Sequence, residues 1–221
     1  MTLVLTLSGL FSALGLALVL NLTLERLLLA NAREASSLLT AAESALEAGL
    51  HDLGAQPTWE TALAGARVSA FSDGVAAGTR TMAAGETIDL GESTAQAMCG
   101  RSSCGEPHIV AVTAARPWGA ANPRWRLFAW GRASALAGAG WPADPYLLVW
   151  VADDPMDEDG DPARDAPAGA AGHGVVLLRA EARGRRGARA VIEVVARDRC
   201  ATAAPGPCVP GIRVQSWRVV E

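Results

Sequence analysis

The chain has 221 residues, 50% of them hydrophobic and 19% charged, with a formal net charge of −4. This balance excludes a disordered tail or a collagenous repeat, leaves room for one or two domains with a buried core, and lacks the basic surplus of a dedicated nucleic-acid binder. All 19 basic residues are arginine, a compositional bias from which no function follows.

The averages conceal two regions. Residues 1–53 hold 18 of the 26 Leu and no Pro, whereas all 12 Pro, all 7 Trp and 20 of the 23 Gly lie outside them. The boundary is expected at residues 54–57, where Gly and then Pro stop a helix. Residues 1–24 carry no charge, and 16 of these 24 are Met, Leu, Val, Ala or Phe. About 20 apolar residues suffice for a helix to cross a bilayer core of roughly 30 Å. Residues 1–24 are therefore expected to form the transmembrane half of a helix, with Leu3, Leu7, Leu10, Leu14 and Leu18 serving membrane insertion and assembly. A cleaved secretory signal fits poorly, because the apolar run is too long and no basic segment precedes it. Glu25 and Arg26 fall at the expected headgroup level. Residues 25–54 then continue as the amphipathic half of the same helix: Ala35, Leu38, Leu39, Ala42, Ala45, Leu46, Gly49, Leu50 and Leu53 recur at steps of three and four. At 1.5 Å per residue the whole helix would be a rod of roughly 80 Å.

Within this rod, Ala30-Asn31-Ala32-Arg33-Glu34 is followed by Ala41-Ala42-Glu43-Ser44-Ala45-Leu46-Glu47-Ala48-Gly49. Together with the hydrophobic start, this resembles type IV pilins, specifically minor pilins of the PilX kind. The head segments Val149-Trp150-Val151-Ala152-Asp153-Asp154 and Gly211-Ile212-Arg213-Val214-Gln215-Ser216-Trp217-Arg218 are similar to those of pilus-assembly proteins in this group. The resemblance implies an α+β fold in which a long N-terminal helix packs against an antiparallel β-sheet head. It further implies a structural, non-enzymatic role in a pilus filament or its priming or tip complex. Other pilin subunits would be the partners. The inner membrane would hold the protein by a single pass before assembly, with the head outside the cytoplasm and then on the cell surface. Leu5 stands where major pilins carry Glu, which points away from a major subunit and is compatible with a minor one. The basic leader ending in Gly that pilins are made with is not among these residues. A pseudopilin of a type II secretion system, or a single-pass binding protein that never polymerises, are the alternatives.

Residues 55–221 are expected to form the β-rich head. Period-two apolar segments with Gly and Pro between them predict strands at 108–115, 125–131, 146–152, 175–183, 189–197 and 212–219. In the fourth, Val176, Leu178, Ala180 and Ala182 share one face, and the next strand should pair with it through a turn at 184–187. Trp125, Trp130, Trp150 and Trp217 fall in strands and are expected in the core, leaving Trp59, Trp118 and Trp141 as loop candidates for the surface.

Four cysteines form two short-range couples, Cys99 with Cys104 and Cys200 with Cys208. Outside the cytoplasm an even count usually means disulfides, and local pairing is the natural choice among three connectivities. A four-cysteine zinc site is disfavoured, because seven residues separate the second couple. Seven carboxylates and one Arg occupy residues 153–165. Asp153, Asp154, Asp157, Asp159 and Asp161 fit either a solvated acidic loop or a calcium site, although Pro155 and Ala166 stand where an EF-hand places ligands. Apart from that ion no cofactor is expected. Five arginines, Arg179, Arg183, Arg185, Arg186 and Arg189, surround the predicted hairpin, as a solvated basic face or as the counterpart of the acidic stretch across a subunit contact. Neither nucleic acid nor a small-molecule substrate is the expected partner. His51, His108 and His173 belong to no hydrolase, phosphate-binding or metalloprotease motif, and no catalytic residue is expected.

Overall fold

The computed structural model describes residues 2–83, 85–114, 123–137, 140–141, 143–157, 159–168, 170, 172–201 and 211–220. Within that set, residues 2–6, 8, 12, 13, 113, 114 and 137 are described by backbone alone. The chain divides into two compact units, Met1–Ser37 and Leu38–Glu221.

The first unit is helical throughout and belongs to α1 (Thr2–Gly54). No Pro interrupts it, and Thr23 donates its hydroxyl to the Val19 carbonyl at 2.8 Å, so this polar side chain is satisfied within the helix. Its described large apolar side chains, from Leu7 to Leu29, are all exposed; Leu18 is 61% exposed. Among the described residues this is the one helix long and apolar enough, by length and composition, to cross a membrane.

In the second unit the remainder of α1 behaves differently. Leu38, Ala41, Ala42, Ala45, Leu46, Gly49 and Leu53 are buried at steps of three and four, as the periodicity requires, while Glu43 and Glu47 stay exposed. Small residues set the distance of approach. A Cβ placed on Gly49 would stand 3.2 Å from Val149 Cγ1, so the helix seats on the sheet at that point because there is no side chain there.

The sheet is a five-stranded antiparallel meander in the order β3 (Arg126–Arg132), β4 (Tyr146–Asp153), β5 (Val175–Arg183), β6 (Arg189–Asp198) and β7 (Ile212–Val220). Five of the six predicted strands thus appear within two residues of their expected bounds. The β5–β6 turn is a short 3-10 segment, Arg185–Gly187, in which Arg186 and Gly187 both take positive φ. Val176, Leu178, Ala180 and Ala182 face α1, together with Leu147, Val149 and Val151 from β4 and Ile192, Val194 and Ala196 from β6.

Strand β4 is buried along its whole length, because a second layer covers the other face. Tyr146, Leu148, Trp150 and Ala152 pack there with Trp125, Leu127, Trp130, Ile88 and Leu90. The covering segment is a small hairpin, β1 (Thr79–Thr81) with β2 (Thr87–Asp89), followed by α3 (Leu90–Cys99). Asp89 caps α3 by accepting the Glu92 amide at 2.8 Å, and Gly100 ends it with φ of 70°. The indole of Trp150 donates to Thr94 Oγ1 at 3.0 Å, which satisfies the only polar atom of a fully buried side chain.

One predicted strand is corrected. Residues 108–114, expected in the strand at 108–115, lie in the helix α4 (Glu106–Ala114). Ile109, Val110 and Val112 mimic a strand, but Gly105, Glu106 and Pro107 form a helix start: an acid in the first turn and a Pro where no amide is needed. Short helices α2 (Glu60–Leu63) and α5 (Ala133–Ala137) complete the elements.

The two outer edges of the sheet differ. Beside β3, residues 69–73 run as an irregular cover: Ser69 N donates to the Phe128 carbonyl at 2.8 Å, Trp130 N to Phe71 O at 3.1 Å, and Asp73 N to Trp130 O at 2.9 Å. Asp52 near the end of α1 anchors this cover by accepting from the Ser69 hydroxyl and, at 2.9 Å, from the Ala70 amide. The other edge, β7, pairs among the described residues with β6 alone and exposes seven of its nine residues.

Candidate functional site

Three groups of residues carry chemistry or surface character beyond packing. The first is the carboxylate cluster where β4 leaves the sheet. Asp153 is the last residue of a fully buried strand, so its side chain is held by the sheet, while Asp157 and Asp159 come from the loop that leads back to β5. One ligand oxygen from each of the three lies within 4.8 Å of the others. Asp153 and Asp157 are each 4% exposed, and Asp159 is at the surface.

Turns in the loop fix these orientations. Asp157 Oδ1 accepts the Asp159 amide at 2.9 Å and Asp159 Oδ1 accepts the Asp161 amide at 2.7 Å. The second oxygen of Asp157, Oδ2, and Asp153 Oδ1 are buried with no hydrogen-bond partner among the described residues. Burial, with the negative charges of Asp157, Asp159 and Asp165 nearby, pushes the Asp153 carboxyl from 3.8 up to about 8. Desolvation raises Asp154 and Asp165 in the same direction.

Two of the five aspartates singled out from the sequence are not part of the cluster. Asp154 and Asp161 use Oδ1 to accept the amides of Met156 and Ala163 at 3.0 and 3.1 Å, which are local turn caps. Asp165 instead holds the far end of the loop by accepting the Gly174 amide at 2.8 Å. His173 stacks no catalytic geometry on this: its Nδ1 lies 2.6 Å from the Ala166 carbonyl and 3.5 Å from Asp165 Oδ2. Asp159, Asp161 and Asp165 line a cavity of about 660 Å³ that also reaches Trp59 and Cys200.

The second group is the cysteines. Cys99 and Cys104 are joined, with Cα atoms 6.1 Å apart, and tie the end of α3 to the start of the segment leading to α4. Cys200 is also disulfide-bonded; Cys208 lies outside the described residues.

The third group is the surface. Leu7, Leu10, Leu14 and Leu18 are exposed, as are Glu25 and Arg26, while the side chain of Leu3 is outside the described set. The basic hairpin is partly neutralised within the head. Arg179 and Arg218 both pair with Glu193, at 2.5 and 2.6 Å, and Arg183 pairs with Glu181 at 2.6 Å. Two of the five clustered arginines are therefore already engaged.

Two tryptophan expectations are corrected. Trp59, expected in a surface loop, is buried at 6% exposure against Leu63 and the α1 face, while Trp217, expected in the core, is 60% exposed on the edge strand. Trp125, Trp130 and Trp150 are buried as expected, Trp141 is half-buried and Trp118 lies outside the described residues. The capping pair Asp89 and Glu92 was the overlooked local signal for α3, and with it for the second core layer. No protein-family model, curated protein or solved structure matches this chain.

Proposed function

We propose that the chain is a minor structural subunit of a type IV pilus, held in the inner membrane by the first half of α1 and drawn from there into the filament or its tip complex. One observation carries the reading: a single unbroken helix is exposed and apolar over its first half and becomes part of a β-sheet core over its second. In water the exposed leucines would be costly, at about 25 cal/mol per Å² of apolar surface. In lipid, or among the same helices of neighbouring subunits, that cost disappears.

Helix association without a hydrophobic drive depends on close packing, and small residues allow it. Gly9 and Gly15 face open space, so another helix backbone can approach there. Glu25 and Arg26 are adjacent and point to different sides of the helix; in a filament each needs a partner from another subunit, because an unpaired buried charge is strongly destabilising.

The test is photo-crosslinking in cells from positions Leu10, Leu14 and Leu18, combined with the composition of sheared pili. The expected result is crosslinks to pilin subunits and recovery of the protein in the pili. Absence of both, with normal piliation and motility in a deletion strain, would leave a membrane-anchored head that does not assemble.

A further inference from the structure

We propose that Asp153, Asp157 and Asp159 bind a calcium ion at the β4 end of the head. Oxygens that share a calcium at 2.3–2.6 Å stand no more than about 5.2 Å apart, and the three carboxylates meet that limit, with one oxygen each inside 4.8 Å of the others.

Burial supplies the independent argument. Buried carboxylates in folded proteins are paired with a cation or hydrogen-bonded. Asp153 and Asp157 are each 4% exposed, and each has one buried oxygen that meets no donor among the described residues. Among the described residues no arginine or histidine forms an ion pair with Asp153, Asp157 or Asp159. The two buried atoms therefore have the hydrogen-bonding capacity of a ligand set rather than that of a solvated loop.

The chemistry of the donors selects the ion. All three are carboxylates, with no sulfur or imidazole in the cluster, which suits a hard cation. Magnesium gives up its water reluctantly and prefers sites where several waters stay bound, whereas calcium accepts six to eight protein and water oxygens in flexible geometry. A pocket with two of three ligands buried strips most of that water, and Asp159 at the surface is the side from which the ion enters with what remains of its shell.

The site also fastens the loop. Asp153 belongs to β4, an inner strand of the sheet, and Asp157 and Asp159 to the connection that returns to β5 at Val175. The return limb rests on the same point: a Cβ placed on Gly172 would lie 3.1 Å from Asp157 Cα, so only glycine permits that approach. A cation bridging Asp153 to Asp157 would join the outgoing limb to the sheet while Gly172 lays the returning limb over it. None of this depends on whether the protein enters a filament.

The experiment is calorimetric titration of the full-length protein in detergent micelles with CaCl2, and with MgCl2 in parallel, alongside thermal unfolding. One saturable calcium site is expected, with magnesium at least tenfold weaker. At a hundredfold excess over Kd, calcium should raise Tm by about 5–10 °C. No saturable heat and no change in Tm up to about 10 mM CaCl2, ten times the weakest range of extracellular calcium modules, overturns the site. Asp153→Asn combined with Asp157→Asn should abolish both responses while the calcium-free Tm holds or rises, since charge is removed without volume. Asp154→Asn and Asp161→Asn should keep the affinity within threefold. Unchanged calcium binding in the double variant overturns the assignment.

Discussion

The two halves of α1 are both apolar, yet they are built on different rules. In the first unit the apolar side chains are long and mostly leucine, and the large ones that are described are all exposed. From Leu38 onward they narrow to one stripe in which Ala and Gly alternate with Leu, and that stripe is buried. A helix that is apolar all round suits an apolar solvent, whereas a one-sided helix suits a specific surface. The difference teaches that hydrophobicity alone does not assign a helix to a core; the width of its apolar face and the size of its side chains do.

The sharpest way to break this comparison is a matched pair of truncations. Leu53→Ala removes a fully buried side chain and should destabilise the head by about 2–5 kcal/mol. Leu20→Ala, at an exposed site of the same helix, should change head stability by no more than about 0.5 kcal/mol. Denaturant unfolding in micelles, followed by tryptophan fluorescence, reads both; equal losses would mean that the halves are not distinct. A charge probes the other half. Leu18→Arg should oppose membrane insertion by about 2.5–3.5 kcal/mol and shift the protein from the membrane to the soluble fraction, with the head still folded by near-UV circular dichroism.

The same contrast between buried and exposed recurs among the carboxylates. Asp153, raised to about 8, stays protonated in the folded protein at pH values where the unfolded chain has already lost that proton. Its contribution is most favourable below about pH 4, declines as the pH rises towards 8 and is flat beyond. Calcium-free protein should therefore show this downward slope, with Asp154 and Asp165 adding to it, and Asp153→Asn should flatten it in thermal unfolding measured across pH. Glu106 is the opposite case. Fully exposed, it is lowered chiefly by the hydrogen bond from Arg124, which grips both carboxylate oxygens at 2.7 and 3.0 Å. Arg124→Ala should return its NMR titration midpoint to the ordinary glutamate range and leave Tm unmoved, the smallest effect of the series.

What can be read from the sequence follows where local pattern and tertiary environment agree. The stripe from Leu38 to Leu53 and the alternation of β5 are visible because one face of each meets one surface. Residues 108–114 are misread because β-branched side chains there outvote a helix start written in three residues. The second layer escapes notice because β4 is apolar on both faces, a pattern that says buried without saying by what. Trp59 and Trp217 exchange their expected places for the same reason: which side of a strand or loop is covered depends on segments far away in sequence. At the acidic stretch, the composition is obvious but the selection is not. Turn capping does not separate the aspartates, since Asp154, Asp157, Asp159 and Asp161 all cap local turns; the selection comes from the end of β4, which brings Asp153 to Asp157 and Asp159.

The unequal edges of the sheet limit how such heads can combine. One edge is closed by the cover at residues 69–73, and the other is β7, on whose outer side no strand pairs among the described residues. In the language of polymer chemistry the head is a monofunctional unit with respect to strand pairing. Two copies joined through β7 would leave this five-stranded sheet with no second open edge among the described residues, so pairing of that kind would stop at two. A sheet open on both sides would be bifunctional and would extend without end into a fibre. Pairing through this sheet would therefore not by itself build long-range order among heads.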